Sequence, residues 1–458
     1  MKFIIKAFES KYLFNFYVIG ILFFLITVQG ERSSLMFVFV QSLNVLLCLF
    51  FINERPGFNL VTSFYGFSII ILGILPIAEF KFQIIYWSGK YLSEEIYIQT
   101  SFLVMLSIIA FRFGYNKRKN LNQLKTPSTI SDLDKNKLEL KLTNRTILFL
   151  IAPCLFLLAQ FEYDFIALQF RGLGEQLENV FLFELFFLKP FIFNIFFFYI
   201  LILKKSSKKH TFKKLVFLFG LLFFTGPLSV PRFLSFCLFV PFIYLYFNFR
   251  RNNSYLFINI VFFGLIFIFP ILDIFRWFTL ENKLDLAQNF NIEYFFAGHF
   301  DAFQNFARVI EFDFHTYGYQ MLGALFFFIP RSIWVTKPVG SGFLLAEEAG
   351  LHFNNISVPF VAELYLDYSY FGIIIGIFLL GLIYRKIDDV FNIIININSF
   401  TTILKLIAFS EFCCLQFYLL RGNLLGAFAF SSSIILTVFV IYIYYLLVNK
   451  SLKKTLWN

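Results

Sequence analysis

The sequence predicts an all-α polytopic membrane protein with about 12 transmembrane helices and one large external loop. Three observations lead to this fold class. Of the 458 residues, 59% are hydrophobic and only 15% are charged, and the mean hydropathy is +0.75. The apolar residues form runs long enough to cross a hydrocarbon core of about 30 Å. Basic residues cluster at the ends of those runs, as they do in the loops of membrane proteins.

The apolar runs set the positions of the predicted helices. They lie near residues 13–28, 35–52, 58–78, 96–114, 146–160, 183–203, 215–230, 233–249, 255–272, 358–384, 400–420 and 424–448. The lysine-rich start of the chain leads into the first run, and no small-residue cleavage site follows it. The first run is therefore interpreted as a retained span and not as a cleaved signal peptide.

Charge sets the predicted topology. With the N-terminus in the cytoplasm, every strongly basic loop falls on the cytoplasmic side, so both termini are predicted to be cytoplasmic. The resulting parts are N-terminal transmembrane helices at 1–115, a cytoplasmic linker at 116–145, central transmembrane helices at 146–272, a periplasmic loop at 273–357 and C-terminal transmembrane helices at 358–458.

One stretch of the predicted periplasmic loop is apolar. Residues 318–330 form a run of about 13 residues, which is short for a helix that must cross the hydrocarbon core. A crossing here would also place the later basic loops on the wrong side of the membrane. We therefore predict a re-entrant or interfacial segment inside the loop.

Composition also excludes several classes of function. The net charge of +11 could indicate nucleic-acid binding, but the basic residues lie at the ends of apolar runs and not in a basic groove. The five cysteines lie inside apolar runs without metal-ligand spacing. The sequence carries no nucleotide-binding motif, and we predict neither a cofactor nor a metal.

The predicted external segments concentrate arginine in turns that also contain proline, glycine or aromatic residues. Candidate substrate-binding residues in these segments are Arg232, Asp273, Arg276, Arg331, Lys337 and Arg421. A single arginine at a membrane surface is explained equally well by contact with lipid headgroups. Several on one face favour a ligand that carries a diphosphate, because arginine grips phosphate oxygens bidentately.

Candidate acid–base residues occupy the same segments. His299 and Asp301 lie two residues apart, and Glu363 lies just inside a predicted span, where a carboxylate is costly to place. The alternative for each residue is a solvated position or a local ion pair. Glu411, in a later predicted span, has no partner at helical spacing, so any interaction it makes is with another helix.

The order of short motifs between residues 226 and 423 resembles that of a known family. The motifs are Pro-Leu-Ser-x-Pro-Arg ending at Arg232, Asp-x-Phe-Arg ending at Arg276, Phe-Asp-Ala at 300–302, the run from Gly323 to Trp334, Lys337-Pro338, Ser357-x-Pro359, Glu363-x-Tyr365 and Arg421-Gly422. Together they resemble the Wzy-type polymerases of O-antigen, capsule and exopolysaccharide repeat units. The resemblance covers a little under half of the chain, and Val335 stands where the family more often has proline.

The resemblance implies a reaction at the outer face of a bacterial inner membrane. Oligosaccharide on a polyprenyl diphosphate is transferred to the hydroxyl of another lipid-linked repeat unit. The implied partners are this lipid-linked oligosaccharide, the bilayer, a chain-length-regulating co-polymerase and a flippase, with no nucleic acid. Arg232, Arg276, Arg331 and Arg421 would stabilise the leaving diphosphate, and His299, Asp301 or Glu363 would act as the base.

Two other functions fit the sequence. An O-antigen ligase uses the same donor, and composition does not separate it from a polymerase. A lipid-linked oligosaccharide flippase or other transporter would place charged residues around a cavity in the middle of the membrane. The motif order favours the polymerase over the ligase, and the gathering of polar residues at one membrane face favours an enzyme over a transporter.

Overall fold

The computed structural model describes most of the chain. The described residues are 9–55, 57–116, 144–162, 164–169, 188–205, 211–226, 236, 255–265, 300–351, 353–354, 356–393, 400–422 and 424–455. Within these ranges the regular structure is helical and no β-strand occurs. The predicted cytoplasmic linker, apart from its ends, lies outside the described residues, as does the predicted span 233–249 apart from Phe236.

The helices of the described residues are numbered here in chain order. They are α1 Lys11–Thr27, α2 Leu35–Glu54, α3 Leu60–Lys81, α4 Glu94–Asn116, α5 Asn144–Gln160, α6 Phe165–Gln169, α7 Lys189–Lys205, α8 Thr211–Thr225, α9 Leu256–Phe263, α10 Ala302–Phe312, α11 Tyr319–Leu325, α12 Ser341–Glu348, α13 Phe360–Ile393, α14 Phe400–Arg421 and α15 Leu424–Thr455.

Among the described residues, four helices are long and apolar enough to cross a membrane. They are α2, α3, α4 and the segment Phe360–Asp389 of α13. Large apolar side chains such as Phe39 and Phe371 are exposed on them, which in a membrane places them against lipid at no cost. These helices indicate a membrane-embedded protein, as the composition predicts, and they coincide with four of the predicted spans.

Helix α3 is buried along nearly its whole length and lies at the centre of the bundle. Its middle, Ile70–Ile74, is a π turn, which disturbs the regular hydrogen bonding of the helix. The buried side chain of Gln41 on α2 donates to the Leu72 carbonyl at 2.8 Å. Asn44, one turn further along α2, joins Gln41 to the Ser101 carbonyl of α4. Polar side chains on α2 thus connect α3 to α4.

Helices α4 and α13 cross at glycine. A Cβ atom on Gly114 would lie 2.1 Å from the Phe378 carbonyl oxygen, and one on Gly381 would lie 2.5 Å from the Phe111 carbonyl oxygen. The two backbones therefore touch directly, as they do at the small-residue crossings typical of membrane helices. The crossing fixes α13, which carries Glu363 at its first turn, against the first part of the chain.

The end of the bundle away from Glu363 is closed by a buried carboxylate. Asp388 of α13 accepts the Leu60 N–H at 2.9 Å and the Tyr115 hydroxyl at 2.9 Å. The first of these bonds satisfies an N–H group at the start of α3 that has no partner within the helix. Helices α3, α4 and α13 are thereby held together at this end.

Residues 300–351 form three helices and connecting turns beside the bundle. The predicted re-entrant or interfacial segment 318–330 contains α11, which has seven residues and is too short to cross a membrane. Apolar side chains on and after α11, including Leu325 and Phe328, are exposed. Asp367 of α13 accepts the Met321 N–H at 2.7 Å and so holds the start of α11 against the bundle.

Candidate functional site

The predicted site residues fall into two groups. Asp301, Arg331, Lys337, Glu363 and Arg421 are described by the structure. The remaining candidates lie outside the described residues. They are Arg232, Asp273, Arg276 and His299.

Asp301 precedes the first residue of α10, and its side chain is fully buried. Its Oδ2 atom accepts the Trp87 Nε1–H at 2.7 Å and the Asn305 Nδ2–H at 2.9 Å. Its Oδ1 atom accepts Arg421 Nη2–H at 3.2 Å and the hydroxyl of Ser357. Because both carboxylate oxygens hold at least two donors, this geometry favours a role for Asp301 in positioning the donors around it.

The ion pair between Asp301 and Arg421 joins two residues that the sequence predicts on one membrane face. Arg421 is the last residue of α14, and 15% of its side chain is exposed, against none of the Asp301 side chain. The pair therefore presents its positive partner toward the surface of the protein. An approaching anion would meet the guanidinium before the carboxylate that holds it.

A second guanidinium belongs to the same network. Arg308 of α10 is buried and donates to Asn305 Oδ1 at 2.7 Å and to the Tyr86 carbonyl at 2.7 Å. Asn305 therefore links Asp301 to Arg308, and the three residues lie on one face of α10 at helical spacing. Desolvation by burial lowers the pKa of Arg308, while the negative charge of Asp301 acts in the opposite direction.

The turn between α3 and α4 packs against this network through Trp87 and Gly89. Trp87 has φ of +61°, a left-handed conformation that costs a bulky residue about 1–2 kcal/mol. Its ring stacks on Phe353 with centroids 4.6 Å apart, and its N–H bonds to Asp301. A Cβ atom on Gly89 would lie 2.3 Å from Arg308 Nη2, so a larger residue at position 89 would displace that guanidinium from its present position. Strain in the turn is thus balanced by contacts with the network.

Glu363 approaches the same stretch of chain from the other side. Its side chain is buried in the first turn of α13, and Oε1 accepts the Leu424 N–H at 2.8 Å and the hydroxyl of Ser341. Leu424 begins α15, three residues after Arg421. Asp301 and Glu363 therefore hold the two ends of the turn between α14 and α15. The second carboxylate oxygen of Glu363 has no hydrogen-bond partner among the described residues.

Arg331 and Lys337 lie in a self-contained loop. Arg331 is exposed and donates to the carbonyl of Lys337 at 2.6 Å and to that of Pro338 at 3.1 Å. Lys337 Nζ donates to the carbonyls of Ile329, at 2.9 Å, and Phe327. Desolvation lowers the pKa of Lys337, with a further contribution from the charge of Arg331. These bonds shape the loop itself, and they do not reach Asp301.

Three participants in the network were not predicted from the sequence as site residues. Tyr86 and Trp87 lie in a connection between two spans that carries no charged motif, so the sequence gives no signal for them. Asn305 is spaced four residues from Asp301, a spacing that does predict contact once the helix is assumed.

The fold and the network define the class of this protein as helical and membrane-embedded, with a buried arginine–carboxylate network at one end of the bundle. Comparison of the chain with models of protein families, with curated proteins and with solved structures gives no match in any of the three. The chemistry of the site is therefore the basis for a functional proposal.

Proposed function

We propose that this protein is a polymerase that joins polyprenyl-diphosphate-linked oligosaccharide repeat units. The observation that carries the proposal is the Arg421 side chain, which is 15% exposed and is held by the buried Asp301 at 3.2 Å. A guanidinium fixed in this way is ready to bind phosphate, because its orientation does not have to be established when the ligand arrives. The motif resemblance supplies the substrate class.

The reaction transfers the growing oligosaccharide from its carrier. The bond between the first sugar carbon and the diphosphate oxygen breaks, and a bond forms from that carbon to the hydroxyl oxygen of the acceptor unit. The electron pair and negative charge go to the departing polyprenyl diphosphate, which Arg421 stabilises. Arg232, Arg276, Arg331 and Lys337 remain candidates for further phosphate contacts, and Asp273 for a contact with Arg276.

The proton of the acceptor hydroxyl needs a base. Of the predicted candidates, Glu363 has the geometry that suits the task best, because one of its carboxylate oxygens is without a partner among the described residues. Asp301 has both oxygens engaged, and His299 lies outside the described residues. Glu363 is therefore our choice for the base.

The proposal includes a topology. The chain crosses a bacterial inner membrane about 12 times, with both termini in the cytoplasm and residues 273–357 on the periplasmic side. The Asp301 network then faces the compartment in which the delivered repeat units would be joined. The reaction needs no nucleotide, because the diphosphate bond already activates the donor. A flippase would deliver the repeat units, and a co-polymerase would set chain length.

The test compares surface polysaccharide on gels from a deletion strain complemented with wild type, Arg421→Ala or Arg385→Ala. Arg385 is a matched control because it pairs with Asp389 at 2.6 Å within α13, towards the Asp388 end of the bundle. We expect Arg421→Ala to leave single capped repeat units, and Arg385→Ala to give the full ladder. Membrane levels of each variant are measured by immunoblot.

Three results would overturn the proposal. A full ladder from Arg421→Ala at normal membrane level would remove Arg421 from the reaction. Long polymer that the deletion strain still makes, but does not attach to lipid A, would identify a ligase. Lipid-linked single units that accumulate on the inner face of the membrane would identify a transporter.

A further inference from the structure

A second polar cluster lies within the helix bundle, where α7 meets the consecutive helices α14 and α15. Glu411 of α14, Asn194 of α7 and Thr437 of α15 are each fully buried. Asn194 Nδ2 donates to Glu411 Oε2 at 3.3 Å and to Thr437 Oγ1 at 3.1 Å. Glu411 is near the middle of the 22 residues of α14, about 15 Å along the helix from Arg421.

The Glu411 carboxyl group of this cluster has no compensating charge within the part of the chain that the structure describes. Among the described residues no basic side chain forms an ion pair with Glu411. Its neighbours in the cluster are the neutral side chains of Asn194 and Thr437. Ser63 of α3 and Tyr384 of α13 lie by Cys413, close to this level of α14, and both are uncharged at neutral pH.

A bare carboxylate at such a position is strongly disfavoured. Burial of an ionised carboxyl group without a partner charge costs far more than one neutral hydrogen bond returns. Uptake of a proton removes that cost. The neutral acid then needs an acceptor for its own O–H group, since a buried donor without a partner is also costly.

The cluster can supply this acceptor. Glu411 Oε1 and Asn194 Oδ1 have no hydrogen-bond partner among the described residues. A half turn of the Asn194 amide exchanges its nitrogen and oxygen, so that Oδ1 faces Glu411 and Thr437. In that orientation Oδ1 accepts from the protonated Glu411. In the present orientation Nδ2 donates to an ionised Glu411. One rotation of the Asn194 amide thus gives Glu411 an acceptor when it is protonated and a donor when it is ionised.

We propose that Glu411, Asn194 and Thr437 form a proton-binding site within the membrane. A metal ion fits the cluster less well, because a hard cation such as Ca²⁺ takes about six to eight oxygen ligands. Three oxygen-bearing side chains meet here, and the described part of the chain holds no group of three or more His, Cys, Asp or Glu side chains suited to a metal. The site is separate from the Asp301 network and does not depend on the polymerase proposal.

The test is infrared difference spectroscopy of the full-length protein in lipid nanodiscs, with wild type compared with Glu411→Gln. The carbonyl stretch of a protonated carboxylic acid is distinct from that of a carboxylate. We expect wild type at neutral pH to show acid absorption that Glu411→Gln lacks. Glu347→Gln, a matched change at an exposed glutamate of α12, should retain it. Coincident spectra for wild type and Glu411→Gln would overturn the proposal.

A second variant keeps the proposal testable if Glu411→Gln is poorly folded. Asn194→Ala removes the acceptor, and we expect the acid band to shift to the frequency of a more weakly hydrogen-bonded acid. An unshifted band would contradict the role assigned to Asn194. The wild-type spectrum is also recorded with sodium chloride in place of choline chloride at constant pH. Loss of the acid band in sodium chloride would overturn the assignment to a proton and indicate that the site binds a monovalent metal cation.

Discussion

Replacement of Asp301 by alanine tests the central network of the site. The change removes the acceptor of at least four donors, which come from Trp87, Asn305, Ser357 and Arg421. Three of these donors are distant from Asp301 in the sequence, so the carboxylate joins separate parts of the chain. The variant leaves a guanidinium and an indole N–H in a buried site without their acceptor.

The expected loss of stability in Asp301→Ala follows from the burial of the Asp301–Arg421 ion pair. Removal of one partner from a buried ion pair costs about 3–5 kcal/mol, because the remaining charge is left without compensation. Arg421 is 15% exposed and Asp301 is not exposed at all, so solvent compensates little of this cost. Asp301→Asn keeps one oxygen and loses the charge, for which we expect about 1.5–3 kcal/mol, the value of a hydrogen bond to a charged group.

The assay is thermal stability in mild detergent, measured as the fraction of monodisperse protein that remains after heating. Asp313→Asn is the control, because 74% of the Asp313 side chain is exposed and its contact with His315 is long, at 3.5 Å. We expect the control to change stability by less than about 0.5 kcal/mol. The midpoint temperature should be highest for the control, lower for Asp301→Asn and lowest for Asp301→Ala. An Asp301→Ala midpoint equal to that of the control would refute the reasoning.

Two further variants test the helix crossing and the proposed base. Gly114→Ala places a Cβ atom 2.1 Å from the Phe378 carbonyl oxygen, and we expect about 1–3 kcal/mol of destabilisation and a lower midpoint in the same heating assay. Gly20→Ala meets nothing within 4 Å and should leave the midpoint unchanged. Glu363→Gln should shorten the polysaccharide ladder to single units at a normal membrane level, whereas Glu348→Gln, an exposed change, should not. A full ladder from Glu363→Gln would exclude Glu363 as the base.

Hydropathy and charge predict the helical membrane character and the positions of the long apolar helices, because lipid selects for long apolar runs whatever the function. They also group Asp301 with Arg421, since both fall on one predicted face. Hydropathy does not reveal that the two side chains touch, because a contact across 120 residues depends on how the helices pack.

Other features of the site have no local signal in the sequence. Trp87 takes a left-handed conformation that favours glycine or asparagine, so its residue type predicts a different backbone. The sequence groups Arg331 with Arg421 as arginines of one predicted membrane face, yet Arg331 bonds to carbonyls of its own loop. The fold, and not the neighbouring sequence, decides whether an arginine bonds to Asp301 or to carbonyl groups of its own loop.

The contact between α4 and α13 can form only late in synthesis, because its two sides lie far apart in the sequence. Gly114 leaves the ribosome early, and Phe378, which it touches, follows after most of the chain has been synthesised. The bond from Trp87 to Asp301 spans 214 residues, and the ion pair closes only when Arg421 has been added. A nascent chain therefore carries no assembled site while it is being threaded into the membrane. A chain that ends before Arg421 would lack the ion pair and the network that this pair completes.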